Sequence, residues 1–186
     1  MKLLKIQGIP GPGAKIYTKF VAGNLITQDF YREITAEIAS KVSSGKILDI
    51  GTGPGYIPIE VARASQNAEI KAIDISSAMV MIARRKAEEA GLSQRVQFEY
   101  GSAEHIPYGD GYFDLVVSTL SFHHWANRKL KDRYGRFVSF IVLYSVRLHS
   151  AMSLQEFQKI ISVPHLGFLK MTIEDRGLAL KLRLVK

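Results

Sequence analysis

Asp49-Ile50-Gly51-Thr52-Gly53-Pro54-Gly55 sets an acid ahead of glycines at every second position. Glycine lets a backbone take positive φ and approach a ligand with no Cβ between them. A second acid, Asp74, follows 19 residues after Gly55. A carboxylate there can accept two hydrogen bonds from a ribose diol, and charge-assisted bonds are the strong kind. Position alone does not distinguish this from a nicotinamide-cofactor site, which also carries an acid about 20 residues on. The dinucleotide fingerprint needs G-x-G-x-x-G, however, and position 56 is Tyr. Farther on, His123-His124 offers imidazoles that change charge near neutral pH and can act as a general base. The bland alternative is that one packs against Trp125 and the other orders the loop. Adjacent histidines make a poor metal motif, because helical ligands converge from i and i+4. With no cysteine in the chain, thiolate metal sites, disulfides and cysteine nucleophiles are excluded.

These residues need a scaffold that holds a strand end against a loop and a helix. Ile47, Leu48 and Ile50 read as a short buried strand, 46–50, and a helix is expected over 56–65. A strand at 69–74 ends in Asp74. A helix starts at Ser76 or Ser77 and runs to Ala90, with Gly91 as its stop. Further strands are expected at 95–100, 113–118 and 137–144. A capping-box pattern at Ser153-Leu154-Gln155-Glu156 opens a helix to 162. A hairpin is expected from 168–174 and 178–185 around Asp175-Arg176-Gly177. Upstream, Phe30, Ile34 and Ile38 mark an amphipathic helix over 28–43 with Thr27 as N-cap. Alternating strands and helices argue for an α/β fold: a three-layer, doubly wound, mostly parallel sheet with a C-terminal antiparallel hairpin. Such sheets bind nucleotide-like ligands at the carboxyl ends of their strands.

The acid-x-G-x-G-x-G row resembles motif I of the class I S-adenosylmethionine-dependent methyltransferases, in particular the small-molecule, type 11-like branch. Gly101-Ser102-Ala103-Glu104-His105-Ile106-Pro107-Tyr108, Asp110 to Ser118 and Phe122-His123-His124-Trp125 resemble later segments of that family. The resemblance implies a Rossmann-like methyltransferase fold and S-adenosylmethionine as cofactor, with S-adenosylhomocysteine as product. It implies that the loop of Asp49, Gly51, Thr52, Gly53 and Gly55 wraps the methionine end, with Asp49 facing the amino group. Asp74 would hold the ribose, and Ile75 and Met79 would line the cofactor. Ser102 and Ala103 would meet the adenine, Ser102 standing where the family usually has Asp, which implies weaker adenine binding. Ser118 and Thr119 would line the methionine arm, and Asp114 would be structural. His123 and His124 are the catalytic candidates, and Tyr17 and Phe20 would belong to a lid. The implied organisation is a lid or helical segment over 1–44 and a cofactor-binding domain over 45–186. Residues 127–150 depart from the family, as if shortened between strands four and five, which puts catalysis in doubt.

At 186 residues with 47% hydrophobic content, one globular domain is expected. The formal net charge is +8, concentrated at Arg128, Lys129, Lys131, Arg133, Arg136 and Arg147, against Asp132 alone between 127 and 150. That favours a solvated face over a nucleic-acid surface, because aromatics at stacking positions are lacking. An Asn-Pro-Pro-Tyr tetrad, which amine-methylating nucleic-acid enzymes of this fold often carry, is missing after strand four. A small-molecule acceptor is therefore expected, with RNA or DNA methylation and a non-catalytic S-adenosylmethionine-binding module as rivals. No apolar run is long enough for a membrane span and no signal-peptide pattern is read, which fits a cytoplasmic protein. The sequence does not fix the oligomeric state.

Overall fold

The computed structural model describes residues 13, 18, 25–103, 105–109, 112–119, 121, 140–146, 170–175 and 179–185. Helix α1 spans Leu25–Lys41, strand β1 Ser44–Ile50, helix α2 Tyr56–Ala64, strand β2 Asn67–Asp74 and helix α3 Ser77–Glu89. Strands β3 Val96–Tyr100, β4 Leu115–Thr119, β5 Phe140–Val146, β6 Lys170–Asp175 and β7 Ala179–Val185 follow. They form one seven-stranded sheet in the order β3-β2-β1-β4-β5-β7-β6. The first five strands are parallel, and β7 runs antiparallel to β5 and β6. This is the expected doubly wound sheet with a terminal antiparallel hairpin. Strand five is present, paired in register from Val116↔Ile141 to Thr119↔Tyr144.

Thr27 does not cap α1. The helix begins two residues earlier, at Leu25, because Leu25 and Ile26 extend the helical run and leave Thr27 in the first turn. Ser76 caps α3 as expected, its hydroxyl accepting from the Met79 N–H at 3.4 Å. Gly91 supplies the left-handed exit with φ 69°. Pro58 is tolerated in α2 because it lies in the first turn, where no intrahelical N–H is needed.

Ile34 and Ile38 of α1, with Val42 just after it, share one core with Ile47, Ile57, Ile59, Val61, Ile70, Val80, Val96, Phe98, Leu115 and Val117. Each fully buried aliphatic side chain contributes roughly 1.5–3 kcal/mol against exposure, so this layer dominates the fold's stability. Asp114 locks the opposite end of the sheet. Its Oδ2 accepts from Lys46 N at 2.8 Å, and its own N–H donates to Lys46 O at 2.9 Å. Among the described residues, no helix is long and apolar enough to cross a membrane.

Candidate functional site

Register places the polar residues. Asp49 pairs with Ala72 on one side and Val117 on the other, so Asp49, Asp74 and Thr119 share a face of the sheet. It is the face covered by α1, α2 and α3. Toward the amino ends its positions are apolar (Ile47, Ile70, Ala72, Leu115 and Val117, all in the core). Polar groups replace them only near the carboxyl ends, where the chain turns from β1 into α2.

That turn is built on glycine. Gly51, Gly53 and Gly55 have φ of 73°, 56° and 79°, the left-handed region that β-carbon-bearing residues rarely enter. Each has a different neighbour. A Cβ on Gly55 would come within 2.8 Å of Ala83 Cβ and the Phe98 ring, so this glycine lets the start of α2 press against α3 and β3. A Cβ on Gly51 would collide with the Ser121 side chain, and one on Gly53 would meet none of the described residues within 4 Å. Among the described residues, the middle glycine is therefore uncovered.

The loop is tied to β2 twice. Gly51 N and Thr52 N donate to Ile73 O at 2.8 and 3.1 Å. The Asp74 carboxylate accepts from Gly53 N at 2.7 Å through Oδ2 and from Ser76 N at 2.8 Å through Oδ1. Asp74 is thus a clamp between the glycine loop and the start of α3. A carboxylate offers about four lone-pair sites, so the clamp is compatible with the ribose role expected for Asp74.

Asp49 is 2% exposed. Burial pushes its carboxyl up to about 7, the nearby Thr52 hydroxyl works in the opposite direction, and the Asp74 charge adds to the rise. Thr52 Oγ1 still does not complete a hydrogen bond. Among the described residues Asp49 Oδ1, Thr52 Oγ1 and Thr119 Oγ1 are buried side-chain atoms without a partner. Leaving such a group unpaired costs about 1–3 kcal/mol, so these groups at the sheet's carboxyl rim are suited to a polar or cationic guest.

The other expected site residues fall around this rim. Ile75 is half-buried beside Asp74. Met79 is 2% exposed and packs inside α3, presenting no free surface. Ser102 and Ala103 follow β3, held near β2 by Gly101 N donating to Asp74 O at 3.1 Å, and His105 N donates to Ser102 O at 3.0 Å. Ser118 is fully buried. Its Oγ lies 2.7 Å from that of Ser121, which donates to Ile50 O at 2.8 Å. Tyr17, Phe20, Glu104, His123, His124, Trp125, the basic segment 127–139 and the helix expected at 153–162 lie outside the described residues.

Two features escaped the sequence reading. Ser121 closes the gap between β4 and β1, and its only sequence signal is its place three residues after Ser118. Lys86 sits with Nζ 3.4 Å above the Tyr56 ring, and Tyr56 stacks on Tyr31 of α1 at 5.8 Å. Burial holds the Lys86 amine down at about 8. Tyr56, which breaks the dinucleotide fingerprint, thus fastens α1 to the helix that begins at the loop.

A methyltransferase-domain family profile matches residues 47–140, half of the chain. The chain belongs to this family. The match runs past Trp125 into the segment where the sequence's own likeness to the family fades. The demethylmenaquinone methyltransferase of Thermus thermophilus is 33% identical over 97 residues, 52% of this chain and 43% of that one. The 27-O-demethylrifamycin SV methyltransferase of Amycolatopsis mediterranei is 39% identical over 83 residues, 45% of this chain and 30% of that one. The chain thus spans less than half the length of these curated relatives. A proposed S-adenosyl-L-methionine-dependent methyltransferase of Methanococcus maripaludis superposes with a TM-score of 0.73 at 21% identity, covering 100% of this chain and 97% of that one. That likeness speaks to the fold.

Proposed function

We propose that the protein binds S-adenosylmethionine at the carboxyl ends of β1, β2 and β4 and transfers its methyl group to a small molecule. The observation that carries this reading is, among the described residues, the set of unpaired buried atoms Asp49 Oδ1, Thr52 Oγ1 and Thr119 Oγ1 beside a glycine loop whose middle position they leave uncovered. These residues fit the cofactor. Asp49 would take the amino group of the methionine end, and Asp74 would hold the ribose. Ile75 would pack on the adenine, with Ser102 and Ala103 at its edge. Gly51, Gly53 and Gly55 would bring main chain against the methionine arm, flanked by Thr52, Ser118 and Thr119, with Met79 supporting the wall from within. A buried acid such as Asp49 also suits a guest that arrives with positive charge.

When bound, the cofactor supplies an electrophilic methyl on a sulfonium. Methyl transfer asks the protein mainly to align donor and acceptor and to keep water out. His123 and His124, two and three residues beyond Ser121, are proposed to take the acceptor's proton. Tyr17 and Phe20 are proposed as part of a lid, residues 1–44 being its segment and 45–186 the cofactor domain. The two curated relatives are named for quinone-type and rifamycin-type acceptors, which supports a small-molecule acceptor here.

Calorimetry with S-adenosylmethionine, S-adenosylhomocysteine and NAD tests the reading. Binding of both sulfur compounds but not NAD is expected. Folded protein that binds neither sulfur compound refutes it. Binding without turnover on any small-molecule, nucleic-acid or protein acceptor leaves a non-catalytic binding module.

A further inference from the structure

The geometry points to Ser121 as a positioning residue that sets the glycine loop from the β4 side; this rests on the cofactor reading above. The Ile50–Gly51 peptide group is held at both of its polar ends. Its N–H donates to Ile73 O of β2 at 2.8 Å. Its C=O accepts from Ser121 Oγ at 2.8 Å. Because Ser121 spends its proton on Ile50 O, the 2.7 Å contact with Ser118 must have Ser118 as donor. The result is a relay from Ser118 O–H to Ser121 O–H to the Ile50 carbonyl.

The relay fixes the tilt of the peptide that opens the loop, and the Ser121 side chain occupies the volume that a Cβ on Gly51 would need. A side chain at position 51 and the Ser121 side chain therefore exclude one another, and Gly51 at its φ of 73° leaves the place to Ser121. The same residue precedes Phe122-His123-His124-Trp125 directly in the chain. Ser121 is thus the joint between the segment proposed to hold the acceptor and the loop proposed to hold the cofactor. Without its hydroxyl, the Ile50 carbonyl loses its partner and the peptide is held from the β2 side alone.

The test is S-adenosylhomocysteine calorimetry with thermal melts on the whole chain, with cofactor KM and kcat measured once an acceptor is found. Ser121→Ala should weaken S-adenosylhomocysteine about fivefold to tenfold, the loss of one buried hydrogen bond. The melting temperature should fall as well, because the bond also holds the free protein, and the affinity loss should show in the cofactor KM and not in kcat. If Ser121→Ala fails to fold, Ser121→Cys keeps the volume with a weak donor and should show the same affinity loss. The inference falls if Ser121→Ala (or Ser121→Cys in its place) binds within twofold of the natural chain. It also falls if the loss appears in kcat and not in the cofactor KM. A natural chain that fails to bind S-adenosylhomocysteine at all would count against the proposed function instead.

Discussion

Replacing Asp49 with Asn should stabilise the protein, by about 1.7 kcal/mol at pH 5 and by about 4 kcal/mol at pH 8. Asp49 is buried, and its carboxyl rises from an ordinary 3.8 to about 7, chiefly through desolvation. A group whose folded value lies above its unfolded value binds protons more tightly in the folded state. Its contribution is complete below about pH 4 and disappears as pH rises through 7. At roughly 1.4 kcal/mol per pH unit between the two values, the charged form costs up to about 4 kcal/mol at pH 8. Asn keeps the shape and cannot ionise, so it reproduces the protonated acid at every pH. Urea denaturation of both proteins from pH 5 to pH 8.5 reads the difference directly. Comparing the pair cancels the other titrating groups they share. The cofactor should couple to the same proton. With Asp49 half-protonated at pH 7, binding of S-adenosylmethionine should release about half a proton, visible as binding heats that vary with the buffer's ionisation enthalpy. Asp49→Asn should abolish that release and weaken binding. A stability difference between the two proteins that is the same at pH 5 and pH 8 would refute the reasoning.

Gly51→Ala and Gly53→Ala should separate folding from binding. The first meets Ser121 as well as a positive φ and should cost about 3 kcal/mol or more in denaturation. The second pays only for its φ, about 1–2 kcal/mol, yet should lose most cofactor affinity in calorimetry, since its Cβ would project on the side the described residues leave uncovered. Asp74→Ala removes the acceptor for two backbone N–H groups; it should lower cofactor affinity by about 1.5–3 kcal/mol and destabilise the free protein by a similar amount. Lys86, held down at about 8 by burial, binds protons less tightly when folded. Stability should therefore rise with pH between about 8 and 10, and Lys86→Met should flatten that rise in thermal melts.

Much of the scaffold was legible because it rests on local pattern. Ile47 to Gly55 announce a strand that breaks into a loop, and Ser76 and Gly91 bracket a helix by cap chemistry. The β-α alternation then implies a parallel sheet. The site was legible as a set of residues but not as a set of bonds. Asp74 reads as a ribose ligand, whereas in the fold its carboxylate also grips Gly53 N and Ser76 N. That grip depends on β2 lying beside β1, which no window of sequence displays. Ser121 was missed for the same reason: its partner Ile50 lies 71 residues away, and only the β1–β4 pairing brings them together. Lys86 drew no reading from the sequence, since its place over Tyr56 follows from how α3 packs against the start of α2.

The Asp74 clamp has a thermodynamic consequence. Because its carboxylate already holds the glycine loop through main-chain N–H groups, the loop does not have to order itself around an arriving ligand. Association should then carry a small entropic penalty for the protein and a heat-capacity change set by ligand burial alone. Variants at the rim should differ in how long the ligand stays and hardly at all in how fast it arrives.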